Sequence, residues 1–327
     1  MSDIVWLSIT TTCSDFGILF SVLTNCTLLV LLSRKQSQEL GSYKYLMVTF
    51  CLFSMFYSFV EWFMRPLIHI YDDTTIVIQR KRFKYSWLIA RSISSTYCGC
   101  FATSFTLFAV HFIYRYLAVC SPKKLQFFEG CRFGFWLLGI FLTALSWALF
   151  AFFCFPENDR TEISFMEVVT SFYDLNVTET AYVPYTFWVY RNEKKSLNPV
   201  NIIGLAQHVV IMSISFGIVF FCGYRTAKLM RKMKGVSGKT RELQKQLFNA
   251  LVLQTIIPMV FMYIPTGMLF LLPFMGLNIG AYGNMAIVSV HLYPGIDPLV
   301  IILLISNFRK TLTTAFWDAL KWTTLIS

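Results

Sequence analysis

The sequence predicts an all-α membrane protein: a bundle of seven transmembrane helices followed by a short amphipathic eighth helix. Three observations predict it. The 327 residues are 56% hydrophobic and only 14% charged, against about 25% charged in a soluble domain, and mean hydropathy is +0.59. The apolar residues form continuous runs such as "FGILFSVLTNCTLLVLL", suited to helical spans of about 20 residues and lacking the alternation of a barrel strand. The charges gather in short clusters between those runs. With no internal repeat, the chain reads as a single domain over 1–327.

Seven runs qualify as spans: about 16–32, 45–64, 93–119, 133–155, 201–224, 247–272 and 281–305. No basic n-region or cleavage site precedes the first, so it is expected to insert itself. With the N-terminus outside, the inner segments carry eighteen Lys/Arg and the outer segments ten, as the positive-inside rule favours. Eight of the eighteen lie in 225–246. The outer cluster "RKRFK" at 80–84 runs against the rule. The acidic outer segment 156–200 carries the sequon Asn176-Val177-Thr178, a glycosylation acceptor on the same side.

In the second span, Glu61 stands four residues before Arg65, which allows either a local ion pair or a ligand contact. In the third, Tyr97, Phe101, Ser104, Phe108, His111 and Arg115 recur at spacings of 4, 3, 4, 3 and 4, so they share one face. A charged side chain in a span faces the bundle or water, and this marks the stripe as inward. Arg115 then serves either signalling or lipid anchoring. The fifth span carries a stripe of small and polar residues through Asn201, Gly204, His208, Ile211, Ser215 and Cys222. The sixth has two proline kinks, Pro258 and Pro265, tolerated where neighbours re-satisfy the backbone. The seventh places Asp297 and Pro298 together as a polar kink. Beyond it, Phe308, Leu312, Phe316 and Leu320 form one apolar face over about 307–322, an amphipathic helix along the inner surface.

The nine cysteines form no disulfide framework. Cys13 and Cys154 alone sit near the outer face, while Cys120 and Cys131 flank a basic loop and are either palmitoylated or inert. Enzyme signatures fail: "KMKGVSGKT" has Met233 where a phosphate loop needs its first glycine, and there is no HExxH or zinc-ligand spacing. No catalytic residue, cofactor, metal or nucleic-acid partner is expected.

"IYRY" occupies the place of the acidic-Arg-Tyr triplet that ends the third helix of a G-protein-coupled receptor, and "DPLVI" with Phe308 that of its Asn-Pro-x-x-Tyr motif and following helix. More specifically, "LGSYKYLM", "EWFMRPLIHIY", "RKRFKYS", "CFATSF", "VHFIYRYLAVC", "LQKQLF", "ALVLQTIIP", "FMYIPTG" and "LYPGIDPL" resemble the nematode serpentine chemoreceptors of the Str class, in order along nearly all of the chain. The resemblance implies an odorant or other chemosensory receptor in the plasma membrane of sensory-neuron cilia. Its partners would be a small-molecule odorant, a heterotrimeric G protein and a membrane accessory protein for ciliary delivery. It carries Arg115 and Tyr116 onto the G-protein-facing position, and Asp297, Pro298 and Phe308 onto the seventh-helix switch and the helix that follows. His111 would relay between ligand and arginine.

Two departures stand out: Tyr114 replaces the acid beside the arginine, and 156–200 contains no cysteine for the usual tie to the third helix. The N-terminus is short, so a ligand is expected among the helices beneath the two long outer segments. Glu61, Tyr97, Phe101, Ser104, His208, Met212, Tyr263 and Thr266 are the expected contacts, a mostly aromatic set suited to a small volatile with a carbonyl or hydroxyl. Alternatives are a peptide or pheromone docking on 156–200, or a transporter or channel, which would require intramembrane ionisable chains or paired repeats.

Overall fold

A computed structural model describes residues 3–34, 39–191, 194–231, 238–314 and 317. Among the described residues, seven helices are long and apolar enough to cross a membrane. They are α1 (Asp3–Ser33), α2 (Tyr43–Met64), α3 (Trp87–Cys120), α4 (Cys131–Cys154), α6 (Pro199–Met230), the pair α7 (Gly238–Pro258) and α8 (Ile264–Phe274), and α9 (Asn284–Leu304). The short helix α5 (Asp159–Glu167) lies between the fourth and fifth spans, started by an Asn158–Thr161 capping box. Large apolar side chains such as Leu19 and Phe135, above 70% exposed, face outward where lipid would lie. Residues 306–314 are helical, and Phe308 is buried against the bundle. Phe316, Leu320 and Lys321 lie outside the described residues.

The sixth span is one helix with a defect. Pro258 ends α7, and a π turn over Met259–Tyr263 leads into α8, where Pro265 follows at once. Pro265 has no N–H to give the carbonyl four residues back, and the helix takes up the loss by widening one turn. α1 and α9 pack closely because two glycines permit it. A Cβ on Gly17 would meet the His291 carbonyl oxygen at 2.5 Å, and one on Gly295 would meet the Phe20 ring at 2.3 Å. Asn25 donates to the Pro294 carbonyl at 2.9 Å across this contact.

The long segments at one end are not irregular loops. β1 (Pro66–Tyr71), β2 (Thr74–Arg80) and β3 (Thr180–Thr186) form an antiparallel sheet in that order. β4 (Trp188–Arg191) and β5 (Lys194–Leu197) make a separate hairpin. The three-stranded sheet is buried on both faces. Ile68, Val77, Val183 and Tyr185 join the bundle core, whereas Leu67, Ile76, Ile78 and Tyr182 join a second core with Trp6, Phe165 and Tyr173. Its alternation therefore separates two apolar layers rather than apolar from wet.

This cap is fastened to the spans by hydrogen bonds. Asn284, first residue of α9, receives the Ile68 N–H at 2.8 Å and donates to the Ile68 carbonyl at 2.9 Å, standing in for a neighbouring strand. Thr75 donates to the Leu269 carbonyl at 2.7 Å. The "RKRFK" arginines turn inward: Arg80 is buried and donates to Arg65 O, Thr10 and Thr11. Arg82 lies over the Trp62 ring at 3.5 Å and pairs with Asp15 at 3.3 Å.

Candidate functional site

Beneath the sheet, α3, α4, α6 and the sixth span leave a cavity of about 160 Å³. Five of the eight residues expected to contact a ligand line it: Phe101 from α3, His208 and Met212 from α6, Tyr263 from the π turn and Thr266 from α8. Trp147 and Phe155 at the end of α4, Leu205, Phe270 and Tyr185 of β3 complete the wall. The rings are locked against one another. Trp147 stacks on His208 at 4.1 Å, Phe101 meets Tyr263 edge-on at 5.5 Å, and Phe270 meets Tyr185 edge-on at 4.8 Å.

The polar atoms of this wall are mostly engaged. The Tyr263 hydroxyl is 2.8 Å from Ser104 Oγ, the Tyr185 hydroxyl 3.4 Å from Cys98 Sγ, and His208 Nε2 is 3.3 Å from the Trp147 carbonyl. A carbonyl partner makes Nε2 the protonated nitrogen of His208. Thr266 is the exception. Many helical threonines of the bundle return their hydroxyls to the carbonyl four residues back, as Thr103 and Thr255 do. Thr266 follows the π turn, and its hydroxyl makes no hydrogen bond to another described residue.

At the opposite end, Arg115 is 1% exposed, which places it inside the bundle and away from lipid phosphate. Its guanidinium lies 3.8 Å from the Tyr43 ring centre and donates to Gln244 of α7 at 2.8 Å. Tyr43 also bridges to His111, whose Nδ1 is 3.1 Å from the phenol oxygen. The contact between His111 and Arg115 thus runs through α2, a link the α3 stripe alone does not reveal. Tyr114 stands between Tyr43 and Phe128, 5.1 Å from each ring, while Tyr116 sits half-buried against Phe221. Two more glutamines join the sixth span to the seventh. Gln254 donates to the Asp297 carbonyl at 3.2 Å, and Gln246 accepts from Ser306 at 3.1 Å. Tyr293 donates to the Asp297 carboxylate at 3.2 Å, one turn above the buried Pro298.

The sequence matches the family described as serpentine type 7TM GPCR chemoreceptor Str over residues 10–313. The chain belongs to the Str family of chemoreceptors. Among its relatives is serpentine receptor class r-10 of Caenorhabditis elegans, 41% identical over 313 residues that cover 95% of this chain and 92% of the relative. The Caenorhabditis briggsae protein of that name is 40% identical over 318 residues, covering 97% and 93%. The G-protein coupled receptor str-33 of Caenorhabditis elegans is 27% identical over 315 residues, covering 93% and 90%. The receptor is therefore a multi-pass membrane protein of a chemosensory G-protein-coupled class.

Three expected ligand contacts lie outside the cavity of this Str receptor. Ser104 sits behind Tyr263, bonded to it. Glu61 and Tyr97 belong to a separate buried cluster, in which the Tyr97 hydroxyl is 3.4 Å and His291 Nδ1 is 3.2 Å from Glu61 Oε1. Arg65 lies by Asp15 at 3.8 Å, so Glu61 faces the bundle and not its i+4 neighbour. His291 carries no mark of this role in the sequence, because its partner lies on another span.

The receptor's tie between the third helix and segment 156–200 is noncovalent among the described residues. Arg91 of α3 lies 3.6 Å from Glu157, and Cys98 Sγ is 3.4 Å from the Tyr185 hydroxyl of β3, which pairs with β2 along its length. Cys13 and Cys154 are free thiols. Asn176 is exposed, its side-chain oxygen accepting from Thr178 N and Oγ1 at 3.0 and 2.8 Å.

Proposed function

We propose that this receptor detects a small, neutral, volatile molecule in the cavity beneath the sheet and activates a heterotrimeric G protein at the Arg115 end to direct chemotaxis. The cavity carries the reading. Its volume of about 160 Å³ admits a molecule the size of a small ketone or alcohol, and no charged side chain lines it. The Thr266 hydroxyl, unpaired in an aromatic wall, suits a single carbonyl or hydroxyl on the ligand. The quoted motifs resemble the diacetyl odorant receptor of the Str class, which supports the same ligand chemistry. Peptide docking on 156–200 draws no such support from β3, whose side chains are almost all buried.

The ligand acts by preferring one of two existing states. Contact with Tyr263 competes with its bond to Ser104, and the π turn at Tyr263 is where the sixth span can change register at least cost. Below that turn, Gln254 and Gln244 hold the span to Asp297 and Arg115. Swinging α7 outward parts Gln244 from Arg115 and frees Arg115 and Tyr116 for the G protein.

The placement that goes with this reading is the plasma membrane of a sensory cilium, reached with a membrane accessory protein, with the sheet and Asn176 outside. The basic excess at the Arg115 end supports that orientation. Met212→Trp tests the cavity by filling it. The response to a panel of small volatiles should be lost while surface expression is kept, and an undiminished response would remove the cavity as the site.

A further inference from the structure

A larger crevice of about 470 Å³ opens sideways between α3, α4 and α6 in the half of the bundle nearer Arg115. Three helical faces form it: Ala109, Val110 and Ile113; Phe135, Trp136 and Gly139; and Ile211, Ile214 and Ile218. No charged residue lines it, and Thr106 and Thr143 turn their hydroxyls onto their own helices at 2.9 Å. Phe135 and Ile214, 73% and 59% exposed, stand at its lips and face the surrounding membrane. A Cβ built on Gly139 meets nothing within 4 Å, so the space is open there.

The crevice ends at two cations. Arg132 precedes Trp136 by one turn of α4, and Arg225 follows Ile218 by two turns of α6, each on the face that lines the crevice. Both are exposed, and neither makes an ion pair with a described residue. Arg132 is in the first turn of α4 and Arg225 near the last turn of α6, so both lie toward the same end of the crevice. We infer that this is a binding site for an anionic phospholipid, one acyl chain lying in the crevice and the head-group phosphate on Arg132 and Arg225. The apolar walls match a hydrocarbon chain, and two exposed guanidinium groups at the same end of its walls match a phosphate. The site is separate from the cavity proposed for the odorant, and none of its lining residues belongs to the sixth span.

Trp136 provides the reporter. The full-length receptor is placed in phosphatidylcholine vesicles doped with acyl-brominated phosphatidylserine or acyl-brominated phosphatidylcholine. The Trp136 contribution to fluorescence is read as the difference from Trp136→Phe. Brominated phosphatidylserine should quench it at a lower mole fraction than brominated phosphatidylcholine, by about fivefold for each cation. Arg132→Gln combined with Arg225→Gln should bring the two lipids level. Gly139→Leu, whose side chain enters open space, should weaken quenching by both. Equal quenching by the two lipids in the unaltered receptor would overturn the inference. Quenching that Gly139→Leu leaves unchanged would also overturn it, by showing only lipid collected at the outer surface.

Discussion

In the proposed resting state Gln244 takes the part of an acid in restraining Arg115, and a neutral partner makes for a weak restraint. A hydrogen bond to a charged group contributes about 1.5–3 kcal/mol, so Gln244→Leu should raise basal G-protein activation by at least about tenfold, measured as nucleotide exchange without ligand. Gln244→Glu should lower it, and basal activity unmoved by both would separate Gln244 from the resting state. In the cavity, Thr266→Val keeps the shape and removes the hydroxyl. Ligand potency should fall about fivefold, the net worth of about 1 kcal/mol for one hydrogen bond, with the maximal response unchanged. Part of this site is legible in the sequence. Phe101 falls on a stripe fixed by Arg115, and His208 is marked by polar neighbours along its own helix. Trp147 and Phe155 carry no such mark, because α4 is apolar all round and its inward face has no polar signal. Tyr185 depends on strand register, which fixes whether Tyr182 or Tyr185 looks into the bundle.

The spans are read from apolar length, which hydrocarbon imposes directly, whereas the sheet has no comparable signal. Its strands are six or seven residues long and buried on both faces, so apolar–polar alternation is absent. The β-branched run "TTIVIQR" is the trace it leaves. One titratable group in this cap gives it a pH response. His69 of β1 is buried beside Tyr173, with Nδ1 3.2 Å from the phenol oxygen. Burial lowers its pKa from 6.5 to about 4, opposed by the nearby Asp3. Between those values the unfolded cap holds more protons than the folded one. Stability is therefore complete above about pH 6.5 and falls as the pH drops toward 4, by at most about 3 kcal/mol. Thermal unfolding should shift downward in mild acid for the unaltered receptor, and by less in His69→Gln. The same downward shift in both would assign the acid response to other groups.

At the scale of the whole molecule, a noncovalent cap at one end and a glutamine-held bundle at the other are joined through α9, which carries Asn284, His291 and Asp297 in turn. The proposed orientation puts the cap outside. Asn176→Gln should then remove a glycan, seen as faster migration of receptor from secretory membranes, and an unglycosylated starting protein would withdraw that support. The positive-inside reading is also clearer in the folded receptor. Arg80 and Arg82 are held by cap contacts, so the outer "RKRFK" cluster serves the fold more than the surface charge. The most direct test is a screen of small volatiles against the expressed receptor and its Arg115→Ala variant, with G-protein activation as readout. A response to at least one small neutral volatile is expected, abolished by Arg115→Ala at equal surface expression. Signalling preserved in Arg115→Ala, or a ligand-evoked current in cells lacking G-protein signalling, would contradict it.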